Sequence, residues 1–443
     1  MSRHYIRIPL FAAALISLSL TAIDQASAGA LQQRQQTKQL VEGQYTENLE
    51  AASYFQQGVT RYNRGEFKAA ELALRKALEF DPSIAMAHYI LGNSLFEQGQ
   101  TELATQQYQR AIALNPNIPE AYYNLGLTLY RQGNVDGAIS QYQRALSLNS
   151  NLAAARYNMG VAYEGQGRSQ EAIAQYAEAA RLDPTYVTAQ YNLGLLLAKQ
   201  NQAEPAIIAL RQAVGNNPEL IQAQYQLGVL LARQGQLEEA KNALNEATKR
   251  DPKLAPAQFQ LGQVLAAQGD FAGAGDRFDW VTKLEPNNID AYQQLGAART
   301  KTGQYDQAVT ALQTALRLNP NDAVSHYNLG VALQQTQKYP EAIAQYQQAL
   351  VLNPRLPDAY YSMGVALGLS QQRDEAFRFL QEARKLFVSE GNQQKINQVD
   401  QYVQQLANQP IVPALSQPTQ PAVEQPQPSN SPFLPTPPNN NGL

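Results

Sequence analysis

Residues 119–152 read PEAYYNLGLTLYRQGNVDGAISQYQRALSLNSNL, and residues 153–186 read AAARYNMGVAYEGQGRSQEAIAQYAEAARLDPTY. The two 34-residue stretches align without a gap. Each has one run of helical apolar periodicity, a glycine-centred break, a second run and a polar turn, which is the pattern of a helical hairpin. Working outward, a glycine recurs every 34 residues, from Gly58, Gly92 and Gly126 to Gly364. With that glycine as position 8, ten repeats begin at Ala51, Ala85, Pro119, Ala153, Val187, Ile221, Ala255, Ile289, Ala323 and Pro357. Position 20 is alanine in all ten, position 27 in nine (Val281 is the exception), and position 32 is proline in eight. A period of this length means stacked supersecondary units that share one continuous core.

Each recurring residue has a mechanical reason. The glycine at position 8 and the alanine at position 20, such as Gly92 and Ala104, are expected to face each other where the two helices cross closely. Position 15 is glycine in seven repeats and Asn201 in an eighth, residues that tolerate the left-handed conformation ending a helix. Proline at position 32 ends the second helix, because the residue before it is pushed out of the helical region. Pro205, Pro256 and Pro340 fall in first helical turns, where the missing N–H costs nothing.

Over residues 51 to about 386 this spacing closely resembles the tetratricopeptide repeat family. The resemblance implies an all-α fold, a right-handed α-solenoid superhelix of ten 34-residue helix-turn-helix repeats across residues 51–390. It also implies that the first (A) helices line a concave groove, with the second (B) helices outside. Residues 391–408 read as a capping helix, whose Ile396, Val399, Val403 and Leu406 would cover the last hairpin. Residues 409–443 hold ten prolines among Gln, Ser and Asn, and read as an extended, unfolded tail.

The first 28 residues read as a secretory signal peptide. Arg3 and Arg7 form a positive start, Leu10 to Ile23 an apolar run, and Ala26-Ser27-Ala28 a small-residue cleavage site. The alternative is an uncleaved anchor, although a bilayer needs about 20 apolar residues. The expected location is therefore the periplasm or outside the cell, with no transmembrane segment after cleavage. Residues 29–50 form a Gln-rich lead-in.

Composition excludes several functions. Charged residues are 16% and net charge is −3, so no basic field exists to hold nucleic acid. There are no cysteines, hence no disulfides, thiolate nucleophiles or zinc ribbons. No phosphate-binding loop, zinc-protease helix or nucleophile elbow is present. Of three histidines, His4 leaves with the signal peptide, while His88 and His326 share position 4 and read as packed, hydrogen-bonded residues. The chain is expected to be no enzyme and to need no cofactor; a metal site assembled between repeats would escape this reading.

On an A helix, positions 2, 5, 6, 9, 12 and 13 share one face. Position 5 is aromatic in nine repeats, including Tyr89, Tyr123, Tyr157 and Tyr191. Position 6 carries an amide in eight, among them Asn124, Asn158 and Asn192. Position 12 is aromatic only at Tyr62, Phe96 and Tyr130, and position 13 turns basic at Arg131. One reading makes these residues a partner-binding groove, with amides gripping extended backbone and aromatics supplying contact area. The asparagines are similar to the groove ladder in the repeat domain of the O-linked N-acetylglucosamine transferase. The other reading makes the position 5 tyrosines framework, since periodic aromatics are usually core. The carboxylate clamp of chaperone-tail receptors is missing, because position 2 is never basic and position 6 is never Arg. The expected function is an envelope scaffold or assembly chaperone that binds other proteins or peptides. The alternative is a carbohydrate-binding factor in polysaccharide export. Repeats 7 and 8 form the expected weak joint, with Gly273, Gly275 and Val281 in one helix, Gln293 replacing an aromatic, and Trp280 available to fill the space.

Overall fold

The computed structural model describes Thr46 and residues 48–408. The signal-peptide and tail assignments, and nearly all of the lead-in, lie outside the described residues. Twenty-one α-helices and no strand occur among those that are described. The first ten are α1 (Leu49–Asn63), α2 (Phe67–Phe80), α3 (Ala85–Glu97), α4 (Thr101–Leu114), α5 (Pro119–Arg131), α6 (Val135–Leu148), α7 (Ala153–Gly165), α8 (Ser169–Leu182), α9 (Val187–Lys199) and α10 (Ala203–Asn216). After α11 (Ile221–Arg233) come α12 (Leu237–Arg250), α13 (Ala255–Ala267), α14 (Phe271–Leu284), α15 (Ile289–Lys301), α16 (Tyr305–Leu318), α17 (Ala323–Gln335), α18 (Tyr339–Leu352), α19 (Pro357–Leu369), α20 (Arg373–Ser389) and α21 (Gln393–Asn408). Odd numbers up to α19 are A helices and even numbers up to α20 are B helices. The chain forms two compact units divided between Ala223 and Gln224. Each unit is an all-α helical-repeat solenoid.

Local chemistry sets the helix ends. Asn48 caps α1 by accepting from the backbone N–H groups of Glu50 and Ala51, each at 3.0 Å. All ten position 15 residues are left-handed, and not only the glycines and Asn201 (φ 57°): Gln337 (φ 60°) and Gln371 (φ 64°) adopt the same conformation. The hydrogen bonds of the turn hold them there. After α3, the Gly99 N–H donates to the Phe96 carbonyl at 3.0 Å and the Gln100 N–H to the Leu95 carbonyl at 2.9 Å. The turn tolerates a glutamine because this pattern satisfies the last carbonyls whatever the side chain.

The close crossing of each hairpin differs from the sequence expectation. A methyl group placed on the position 8 glycine would meet the side chain at position 24, not the alanine at position 20. At Gly92 it would lie 2.7 Å from Tyr108 Cε1, at Gly126 2.6 Å from Tyr142 Cε1, and at Gly194 2.7 Å from Leu210 Cγ. Position 20 contributes its backbone instead, with the Ala138 carbonyl oxygen 3.2 Å from that methyl at Gly126. The position 24 side chains Tyr108, Tyr142, Tyr176, Phe278 and Tyr346 are among the largest that are fully buried.

In the second unit, repeats 7 and 8 fit each other. The Arg299 guanidinium lies over Gly275, where a methyl would stand 3.2 Å from its Cζ, and Nη2 pairs with Asp276 at 2.9 Å. Arg299 therefore fills the notch that the glycine leaves. Trp280 does not fill it: the residue is 43% exposed and its Nε1 donates to the Pro252 carbonyl at 2.8 Å. Gln293 is buried and donates to Asp322 and Ser325, each at 2.9 Å. At the end of this unit α21 buries Ile396, Val399, Tyr402 and Leu406, and Asp400 takes the Arg384 Nε–H at 2.7 Å.

Candidate functional site: the A-helix face of repeats 2–5

Most of the aromatics proposed for the groove are structural. Tyr89, Tyr123, Tyr157 and Tyr191 are between 4% and 8% exposed. Their rings pack inside the hairpin, as where Tyr123 and Tyr142 lie 6.0 Å apart and Tyr157 and Tyr176 5.6 Å apart. These four are corrected from groove contacts to framework: position 5 points between the two helices, where a ring buries more area than on the open face. Burial pushes their hydroxyl pKa values up, that of Tyr191 to about 12. Tyr62 is corrected in the same way. It is buried, with its ring 5.7 Å from Phe67.

The asparagines hold successive A helices together. Asn158 Nδ2 donates to the Tyr123 hydroxyl at 3.0 Å and to the Ala154 carbonyl at 2.9 Å. Asn192 Nδ2 donates to the Tyr157 hydroxyl at 3.1 Å. Asn124 is buried and gives Nδ2 to Asn93 Oδ1 at 2.8 Å and to the Tyr89 hydroxyl at 3.4 Å, while the Tyr108 hydroxyl donates to the same Asn93 oxygen at 2.9 Å. Asn124, Asn158 and Asn192 thus each clasp the position 5 tyrosine of the preceding repeat. Asn124 is withdrawn as a ligand contact; Asn158 has both Nδ2 donors in use and Asn192 has one committed to Tyr157.

Three of the proposed residues remain on the open face. Phe96 and Tyr130 are half-buried, and Arg131 is exposed. The Arg131 guanidinium lies 3.9 Å from the centre of the Phe96 ring, a cation–π contact across the A helices of repeats 2 and 3. Glu97 acts on this guanidinium electrostatically. Burial raises the Tyr130 hydroxyl pKa, with a further push from the Glu164 carboxylate, which itself accepts from the Tyr176 hydroxyl at 2.7 Å. Sequence reasoning missed position 9, where Leu127, Val161 and Leu195 are also half-buried. The signal was available, since position 9 belongs to the same helical face as position 12. Together these residues make an apolar strip with one guanidinium on it.

Both described histidines are hydrogen-bonded at each ring nitrogen. His88 meets Gln107 at 2.8 Å and the Pro82 carbonyl at 3.1 Å, and His326 meets Gln345 at 2.7 Å and the Pro320 carbonyl at 3.1 Å. Among the described residues no group of three or more His, Asp or Glu side chains is placed to hold a metal ion. No helix among them is long and apolar enough to cross a membrane.

Sequence profiles described as "TPR repeat" match residues 92–133, 128–167, 296–337 and 333–370, and profiles described as "Tetratricopeptide repeat" match residues 51–84, 157–221 and 225–280. The chain belongs to the tetratricopeptide repeat family. No match was found among curated protein sequences. Among solved structures, a similar one is YrrB, described as a TPR protein with an unusual peptide-binding site. It is 28% identical over 42% of this chain and 96% of its own, with a TM-score of 0.40. MamA from Desulfovibrio magneticus RS-1 is 27% identical over 38% of this chain and 96% of its own, with a TM-score of 0.37. The C-terminal part of a TPR repeat-containing protein from Cytophaga hutchinsonii is 17% identical over 54% of this chain and 99% of its own, with a TM-score of 0.45. The tetratricopeptide repeat is an interaction scaffold, generally without enzymatic activity, whose partners are other proteins or peptides.

Proposed function

We propose that this protein is an exported scaffold or assembly chaperone of the cell envelope, and that it holds extended segments of partner proteins on the A-helix face of repeats 2–5. The observation that carries the reading is the half-buried strip of Phe96, Leu127, Tyr130 and Val161 with Arg131 stacked on the Phe96 ring. Apolar rings beside a guanidinium are the composition in which interface hot spots concentrate. The reading of residues 1–28 as a signal peptide supports export. Tyr62, Tyr89, Tyr123, Tyr157 and Tyr191, on which a sugar-stacking surface would largely rest, are buried, which leaves the polysaccharide alternative less supported. Selection from a random peptide library on the full mature chain tests the reading. Selected peptides should bind wild type and lose about tenfold or more in affinity with Phe96→Ala. Peptides indifferent to Phe96→Ala and to Arg131→Glu would reject it.

A further inference from the structure

Resting on the binding face just proposed, we propose that the Tyr130 ring, the Glu164 carboxylate and the open position at Gly165 form a subsite for an arginine side chain of the partner segment.

The neighbouring repeat shows what such a place holds. Arg131 stands 35 residues after Phe96, at position 13 of the next A helix, and its guanidinium lies 3.9 Å from the centre of the Phe96 ring. The same step of 35 residues joins Tyr123 to Asn158 and Tyr157 to Asn192, so it is the register in which successive A helices of this unit touch. One repeat further on, the aromatic is Tyr130 and the residue 35 later is Gly165. The ring recurs, but the side chain that covers it does not. Beyond its chain neighbours, a methyl group placed on Gly165 would meet only the Tyr130 hydroxyl, at 3.8 Å. That contact puts position 165 beside the ring, and the space around it admits a side chain from outside.

The charge recurs as well. Glu97 acts on the Arg131 guanidinium at the first place, and Glu164 acts on the Tyr130 hydroxyl at the second. Glu164 is half-buried, and its Oε2 accepts from the Tyr176 hydroxyl at 2.7 Å, which fixes the carboxylate on the face. Among the described residues no ion pair engages it. Arg168, four residues on, pairs with Glu171 and lies over Tyr163, while Lys199 at position 13 of α9 is exposed. A half-buried carboxylate beside an aromatic face suits a guanidinium better than an ammonium. The flat cation stacks on the ring and keeps its N–H edge for the carboxylate. The partner residue is therefore arginine, laid on Tyr130 as Arg131 is laid on Phe96.

The probes are peptides selected from the random library on the full chain, each resynthesised with every arginine exchanged for its neutral isostere citrulline, and binding is read by fluorescence anisotropy. Two variants leave the fold in place. Glu164→Gln reproduces repeat 9, where Gln334 takes the Tyr346 hydroxyl at 2.9 Å. Gly165→Arg, at an exposed helix end with open space around it, fills the subsite from within the chain. Selected peptides should share one arginine, and citrulline at that residue should cost about tenfold in affinity for the wild type. In both variants the arginine and citrulline peptides should bind alike. Peptides selected without arginine, or a citrulline loss that persists in both variants, would overturn the proposal. Peptides that lose affinity with Phe96→Ala yet ignore Glu164→Gln and Gly165→Arg would reject the subsite and leave the binding face standing.

Discussion

Asn158 is the residue at which the two roles of the A-helix amides separate most cleanly. As a clasp, its Nδ2 satisfies the hydroxyl of Tyr123, a side chain only 8% exposed. Asn158→Ala leaves that hydroxyl without its donor, and an unsatisfied buried polar group costs about 1–3 kcal/mol. Tyr123→Phe removes the hydroxyl instead and leaves a half-buried amide that water can reach. Its cost should be about 0.5–1.5 kcal/mol, the net worth of one hydrogen bond. In the double variant the orphan disappears with its partner, so its loss should fall short of the sum of the two single losses by about 1 kcal/mol. Solenoid stability is a sum of repeat and neighbour terms, so a single melting temperature blurs this local effect. Native-state hydrogen exchange of the α5 and α7 amides reads it directly. Losses that add to within about 0.3 kcal/mol would refute the clasp. A ligand-ladder asparagine would behave oppositely, losing peptide affinity while exchange stayed unchanged.

Further outcomes follow from the same packing. Gly126→Ala should destabilise the third hairpin by about 1–2 kcal/mol, because overpacking against the fully buried Tyr142 outweighs the helix propensity gained, whereas Gly215→Ala, with nothing within 4 Å, should stabilise α10 by about 0.5–1 kcal/mol; urea unfolding followed by local exchange distinguishes them. Tyr191 and Tyr361 have hydroxyl pKa values raised to about 12 by burial, so the unfolded chain gives up their protons first as pH rises above about 10. Stability from these two groups is intact below that pH and is lost toward pH 12; an absorbance titration at alkaline pH should show the loss, and Tyr191→Phe should shrink it. Arg299→Ala should open the joint of repeats 7 and 8, giving faster exchange in α14 and α15, while the wild-type joint should exchange no faster than repeats 3–6. Intact-mass measurement of the exported chain should place its first residue at Gly29; an intact Met1 or Ser2 in a membrane pellet would support an anchor instead.

The hairpin architecture was legible because the spacing of glycine, alanine and proline states a mechanical requirement at each position. The columns that never vary do not carry every contact. Position 24 alternates between tyrosine, phenylalanine and leucine, as at Tyr108, Tyr176, Phe278 and Leu210, so it did not stand out, yet it fills the space over every position 8 glycine. The tyrosine–asparagine pairs were visible as two columns but not as one contact, since the bond joins residues 35 apart in different repeats. Periodicity shows that two positions recur; which of them touch depends on the angle between neighbouring hairpins. Gly275 and Arg299 illustrate the same limit, because each looks like a defect alone and they form a contact only across two repeats.

The central claim is that the strip on α3, α5 and α7 binds peptide, while the tyrosines beneath it only hold the repeats together. Hydrogen exchange of the full chain with and without a library-selected peptide tests it most directly. The account predicts new protection on α3 and α5, abolished by Phe96→Ala and kept by Tyr123→Phe. Protection centred on the B helices, or lost equally in both variants, would contradict it.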